Sequence, residues 1–204
     1  GYVDAIVFSL MLAIVATASS LVMGMAAAYA LMRRSVPFSE SISALLMAPL
    51  AFPAVVIGVA LLQFYVLIGL QATFVGLALA HMVITIPYCV RTIMASLAGT
   101  DPNMEDAARV LGASRFVSFW MVTLPLIRPG VVAGGLFSFV VSFDNVPVSI
   151  FLLGVRQTTL PVKIFTSLEY GVDPTIAAVS TILIIATGLI MILAERWIGF
   201  HRFV

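Results

Sequence analysis

The chain has 204 residues, of which 62% are hydrophobic and 9% charged, with a formal net charge of +1 and a mean hydropathy of +1.19. A soluble domain carries about 25% charged residues, so this composition excludes a protein that covers itself with a water-facing surface. Apolar runs of about twenty residues recur, each long enough to cross a bilayer core as a helix, and the chain reads as an all-α integral membrane protein.

Five apolar spans follow one another, at about 5–32, 41–68, 73–97, 122–146 and 174–197. Small residues recur every fourth position in the first, at Ala16, Ser20, Gly24 and Ala28, and Gly130 and Gly134 repeat that spacing in the fourth. Such ridges let helix backbones approach closely in lipid, and packing within the chain is their expected use. The second span holds Pro49, Pro53 and Gly58, which predicts a kink or break, and Pro87 predicts a bend in the third.

Lys and Arg set the expected orientation. Arg33, Arg34, Arg91, Arg109, Arg115, Arg128, Arg196 and Arg202 fall on one side, which leaves Arg156 and Lys163 on the other. The positive-inside asymmetry makes the loop at 98–121 and the C-terminus cytoplasmic and the 147–173 connection extracytoplasmic. Five spans with the C-terminus inside put Gly1 outside, so a further span is expected before residue 1.

Catalytic constellations are missing from the sequence. His81 and His201 are its histidines and Cys89 its single cysteine, which leaves neither a metal-ligand cluster nor a disulfide framework. No H-E-x-x-H or G-x-S-x-G pattern occurs. A phosphate-cradling loop needs Lys followed by Ser or Thr after a glycine-rich turn, and the sole lysine, Lys163, is followed by Ile164. Gln63 and His81 lie within spans but form no nucleophile–base pair. The chain is expected to be no enzyme and to bind no metal or cofactor itself.

Charge is concentrated instead in "EDAARVLGASRFVSFWMVTLP", residues 105–125. Asp101-Pro102 is a helix start, since Asp accepts from first-turn amides and Pro suits the first helical position. Glu105 and Asp106 then sit near the positive end of the helix dipole. Gly112 can take the left-handed conformation that ends the helix. Ser114 can cap a second helix that meets Leu124-Pro125 and turns into the fourth span. Two short helices hinged at a glycine are therefore expected, with Ala107, Ala108 and Leu111 forming a small apolar face at i, i+1 and i+4. Such a face is a docking surface for a cytoplasmic partner.

The spacing of Asp106-Ala107-Ala108, three residues, Gly112, nine residues, then Val122-x-Leu124-Pro125 resembles the EAA–x3–G–x9–I–x–LP loop. That loop marks the permease subunits of bacterial binding-protein-dependent ABC importers. Asp106 stands where that pattern has Glu, and Val122 where it has Ile. "NVPVSIFLLG", "TTLPVKIF" and "DPTIAAVSTILII" resemble the spermidine/putrescine-type branch, although Asn145 follows Ser142-Phe143-Asp144 where that branch commonly has Glu.

The resemblance implies a type I importer permease fold, a single transmembrane domain over 1–204 in the bacterial inner membrane with its coupling loop at about 98–121. It implies a second permease chain, a paralogue in this branch, and a cytoplasmic ATPase dimer that carries ATP and magnesium. An extracytoplasmic solute-binding protein and membrane lipid complete the partners, with no nucleic acid among them. Ala107, Ala108, Leu111 and Gly112 would supply the close fit to the ATPase, and Glu105, Asp106, Arg109 and Arg115 the charged rim. Asp144, Asn145, Gln63 and His81 are candidates for the substrate pathway, with His81 alternatively a helix-to-helix hydrogen bond. Asp144, Glu169 and Asp173 near an entrance would favour a cation such as a polyamine, or they are ordinary interfacial charges. "TTLPVKIF" is expected flat or re-entrant at the outer face. The alternative is an ATPase-independent channel or secondary transporter; a membrane-embedded enzyme and an exporter subunit are weighed and set behind both.

Overall fold

A helix of 32 residues, α1 (Tyr2–Arg33), forms because no proline or polar cluster interrupts its apolar run. In the computed structural model the described residues are 1–33, 36–155 and 157–170, with Ala178, Thr181, Ile185 and Gly188 beyond them. Apart from those four, the expected span at 174–197 lies outside the described residues, as do Arg34, Arg156, Asp173, Arg196 and Arg202. Among the described residues every regular element is helical.

The buried face of α1 is Ala5, Ser9, Leu12, Ala13, Ala16, Ser20, Gly24 and Ala28, which is the small-residue ridge extended toward the N-terminus. Its opposite face leaves Val3, Val7, Ile14, Val22 and Met23 more than half exposed, as an apolar solvent requires. α2 (Ser39–Met47) continues through a tight 3₁₀ turn at Ala48–Leu50 and meets α3 (Ala54–Ile68) at an angle of 104°. Pro49 and Pro53 explain the break: neither can donate to the preceding turn, and Pro53 sits extended (ψ 132°) at the head of α3. The expected second span is thus a sharply bent pair.

α4 (Phe74–Ala98) is the centre of the bundle, packed between α1 and α7 (Leu124–Phe143). It runs through Pro87 as one element. Glycines bring its neighbours in: a Cβ on Gly24 would lie 2.6 Å from Cys89 Cβ, and one on Gly130 would lie 2.5 Å from the Thr92 carbonyl oxygen. In lipid, where burial of apolar surface drives little, this close approach is what holds helices together. The spacing of small residues therefore serves packing inside the chain.

Two apolar clusters occupy the ends of the bundle. One gathers Leu12, Tyr65, Leu77, Ile84, Val148 and Leu152; the other gathers Ala28, Val90, Ile93, Leu97 and Ile127. Between them runs a buried polar seam in which Ser20 and Thr85 hydroxyls meet at 2.7 Å, Ser138 donates to the Thr85 carbonyl, and Cys89 Sγ lies 3.0 Å from Ser138 Oγ. The short helix α8 (Ser149–Leu152) and α9 (Leu160–Tyr170) lie at the end of the bundle where α1 begins. There the Leu160 N–H donates to Ser9 Oγ at 2.8 Å, and Lys163 Nζ stands 4.6 Å above the Tyr2 ring.

Candidate functional site

At the other end of the bundle α4 hands the chain to the charged loop. Asp101 Oδ1 accepts from the Asn103 N–H at 2.9 Å and starts α5 (Asn103–Val110). The helix ends as its glycine dictates. Gly112 takes φ +95°, its N–H donates to the Arg109 carbonyl, and the Ala113 N–H donates to the Ala108 carbonyl. That pair of bonds satisfies the last carbonyls of the helix. Ser114 then accepts from the Val117 N–H and opens α6 (Arg115–Ser118). The two short helices and their glycine hinge thus take the form expected of them.

The chain beyond Ser118 departs from the expectation that α6 turns into the span at Leu124-Pro125. Instead α6, a π turn at Phe119–Thr123 and α7 form one helix of 29 residues, Arg115–Phe143. Pro125 cannot donate to the turn before it. The widened turn, in which the Leu124 N–H reaches back to the Phe119 carbonyl, carries the helix past it.

Glu105 is the anchor of the loop. Its Oε2 accepts from Tyr29 Oη and its Oε1 from Thr123 Oγ1, both at 2.7 Å, and Arg33 Nε lies 3.6 Å from Oε1. Its backbone carbonyl accepts from Ser118 Oγ. One residue thereby ties α5 to α1, α6 and the start of the long helix. Its side chain is 16% exposed, so the carboxylate is directed into the chain and not toward a rim. Arg33 reaches across to Thr100, donating to its hydroxyl and to its carbonyl. Tyr29 and Thr123 were invisible as partners of Glu105 in the sequence, because each is brought in from a different helix.

The remaining candidates divide by exposure. Asp106 and Arg109 pair on the surface at 3.2 Å, and Arg115 is exposed. Ala107, Leu111 and Gly112 are open to solvent, while Ala108 is half-buried. The tip also carries Val110 at 86% and Phe116 at 72% exposure beside Leu111 at 88%. Val110 and Phe116 extend the apolar face that Ala107, Ala108 and Leu111 suggested. A cleft of about 200 Å³ lies behind this tip, between α1, α5 and α6.

Of the four pathway candidates, His81 and Asn145 are joined through Ser149, while Asp144 and Gln63 are exposed. His81 is fully buried, with Nδ1 2.8 Å from Ser142 Oγ and Nε2 3.0 Å from Ser149 Oγ. Ser149 donates in turn to the Asn145 carbonyl at 2.6 Å. His81 therefore joins α4 to α7 and α8 and faces no open surface of this chain. Asn145 Oδ1 accepts from the Val148 N–H, half-buried, at the head of α8. Asp144 is exposed at the end of α7, and Gln63 is exposed on α3. Among the described residues no group of three metal-ligating side chains occurs.

Comparison with known proteins agrees with this architecture. Residues 20–201 match the family described as binding-protein-dependent transport system inner membrane component. The chain is similar to the spermidine/putrescine transport system permease protein PotC of Haemophilus influenzae, at 34% identity over 95% of this chain and 75% of that protein. It is also similar to the putrescine transport system permease protein PotI of Escherichia coli K12, at 32% identity over 94% of this chain and 70% of that protein. Among solved structures, inward-facing MetNI methionine ABC transporter overlays with a TM-score of 0.75 at 20% identity, over 97% of this chain and 94% of that one.

Proposed function

The chain belongs to the binding-protein-dependent transport system inner membrane component family, and from that membership we propose that it is the pathway-forming subunit of an ATP-driven importer, coupled through its α5–α6 loop to a separate ATPase. The observation that carries this reading is the brace at Glu105. A loop meant only to connect two spans has no need of a carboxylate bonded both to the helix that follows it and to α1, a span it does not join. A loop that passes force does, because displacement of the tip must reach the spans and not dissipate in a flexible turn. The continuous helix Arg115–Phe143 extends that link through the bundle.

In this scheme Ala107, Val110, Leu111 and Gly112 enter a groove on one subunit of a cytoplasmic ATPase dimer. Asp106, Arg109 and Arg115 meet its rim. Closure of the ATPase pair with ATP and magnesium moves the loop, and a second permease chain does the same on the other side of the pathway. The loop end and the C-terminus are cytoplasmic. A solute-binding protein docks at the opposite end, near α8 and α9. The names of the relatives support a polyamine as the solute, and the exposed carboxylates of Asp144 and Glu169 at that end suit a cation.

The test is co-elution of the cognate ATPase with this chain, expressed together with its partner permease. Leu111→Asp and Ala108→Arg are expected to strip the ATPase away while the permease pair elutes unchanged. Equal retention by wild type and both variants would overturn the coupling assignment and favour the ATPase-independent channel or secondary transporter. Uptake of labelled spermidine by the wild-type assembly tests the solute separately.

A further inference from the structure

Among the described residues, the cleft behind the loop tip has more positive charge than its own acids can occupy. Its lining includes Arg33 from α1, Glu105, Asp106 and Arg109 from α5, and Arg115 from α6. Glu105 is engaged by Tyr29, Thr123 and the nearby Arg33, and Asp106 by Arg109. Three guanidiniums thus share two carboxylates. Among the described residues the Arg115 side chain makes no hydrogen bond or ion pair, and the buried Arg33 Nε has no hydrogen-bond partner, its nearest carboxylate oxygen being 3.6 Å away.

The depth of the cleft narrows what can fill it. Helices of 32 and 29 residues are about 48 and 44 Å long at 1.5 Å per residue, against a hydrocarbon core of about 30 Å. Tyr29 and Arg33 lie in the last turns of the first, and Arg115 and Ser118 in the first turn of the second. Helices of these lengths centred on the hydrocarbon core would carry these ends into the headgroup layer. Phe116 and Trp120, exposed and 5.9 Å apart, flank them as aromatic side chains do at a membrane interface.

We propose that this cleft binds a phosphate-bearing anion, with Arg115 and Arg109 donating to its oxygens and Arg33 adding positive potential from behind. Guanidinium forks match phosphate oxygens in pairs. The headgroup of an anionic lipid and free phosphate share that chemistry. Arg109 and Arg115 are also the residues proposed for the ATPase rim, so the anion and the ATPase compete for them, and the test uses the chain without the ATPase.

The experiment uses the full chain in detergent with Trp197→Phe, so that Trp120 is the remaining tryptophan. Trp120 reports on the cleft through Phe119, whose ring packs against Tyr29 at 5.2 Å. Its fluorescence is followed during titration with dioctanoyl phosphatidylglycerol, dioctanoyl phosphatidylcholine and inorganic phosphate. Phosphatidylglycerol is expected to give a saturable change that phosphatidylcholine does not, weakened about tenfold by Arg115→Gln. Arg128→Gln, an exposed arginine outside the cleft, is expected to leave it unaltered. Saturation by phosphate as well identifies the anion itself as sufficient; a response to phosphatidylglycerol alone identifies the lipid headgroup. No saturable response, an equal response to phosphatidylcholine, or equal weakening by Arg128→Gln overturns the proposal.

Discussion

Glu105 shows how a single carboxylate can be read in two ways. Near a helix N-terminus on a charged loop, it suggested a contact with a partner. In the structure it faces Tyr29, Arg33 and Thr123. The sequence holds no sign of this, because Tyr29 is 76 positions away and the pairing depends on how α1 packs against the loop. Removing its partners' acceptor is expected to be expensive: Glu105→Ala should destabilise the chain by about 1.5–3 kcal/mol, measured as a lower unfolding midpoint in detergent. Glu105→Gln keeps one acceptor oxygen and should lose roughly half as much. Gly112 behaves differently, because a Cβ there meets nothing within 4 Å while its φ of +95° strains any other residue. Gly112→Val should destabilise the loop by about 1–2 kcal/mol, read as a lower unfolding midpoint, and weaken ATPase co-elution, whereas Gly112→Asn should be tolerated better.

At the scale of elements, what is local was legible and what is tertiary was not. Asp101, Gly112 and Ser114 announced the ends of α5 and the start of α6, because capping is decided within a few residues. The π turn was not announced. A proline after Leu124 reads as a stop, and only packing against α5 and Tyr29 of α1 shows that the helix is widened there instead of ended. The small-residue ridge was legible as packing, but the partner surfaces were not. Gly130 meets the Thr92 carbonyl and Ser96, so Gly130→Val must push α7 off α4. It is expected to lower stability by about 1–3 kcal/mol or more, seen as loss of the monodisperse detergent-solubilised species on gel filtration. Gly99→Ala, whose nearest neighbour would be 3.6 Å away, is the matched control and should elute as wild type.

For the whole molecule, the apolar runs and the spacing of the EAA-type loop carried the fold class, and the family match and the structural overlay agree with it. The break in the second span was legible from Pro49 and Pro53, though its 104° angle was not. The interior was harder to read. His81 looked like a pathway residue because it is polar within a span, yet it belongs to the seam between the two apolar clusters. Interhelical hydrogen bonds in membranes contribute about 0.6 kcal/mol each, so His81→Leu should lower stability by only about 1 kcal/mol and spare transport. Loss of transport by a folded His81→Leu assembly would return His81 to the pathway. The same seam holds the chain's single thiol, fully enclosed beneath Ser138, Gly134 and the Gly24 backbone. Cys89 is therefore expected to stay silent toward maleimide reagents. A cysteine placed at Val110 or Leu111 would be labelled against no background, and the rate of that labelling would record directly when the loop tip is covered and when it is bare.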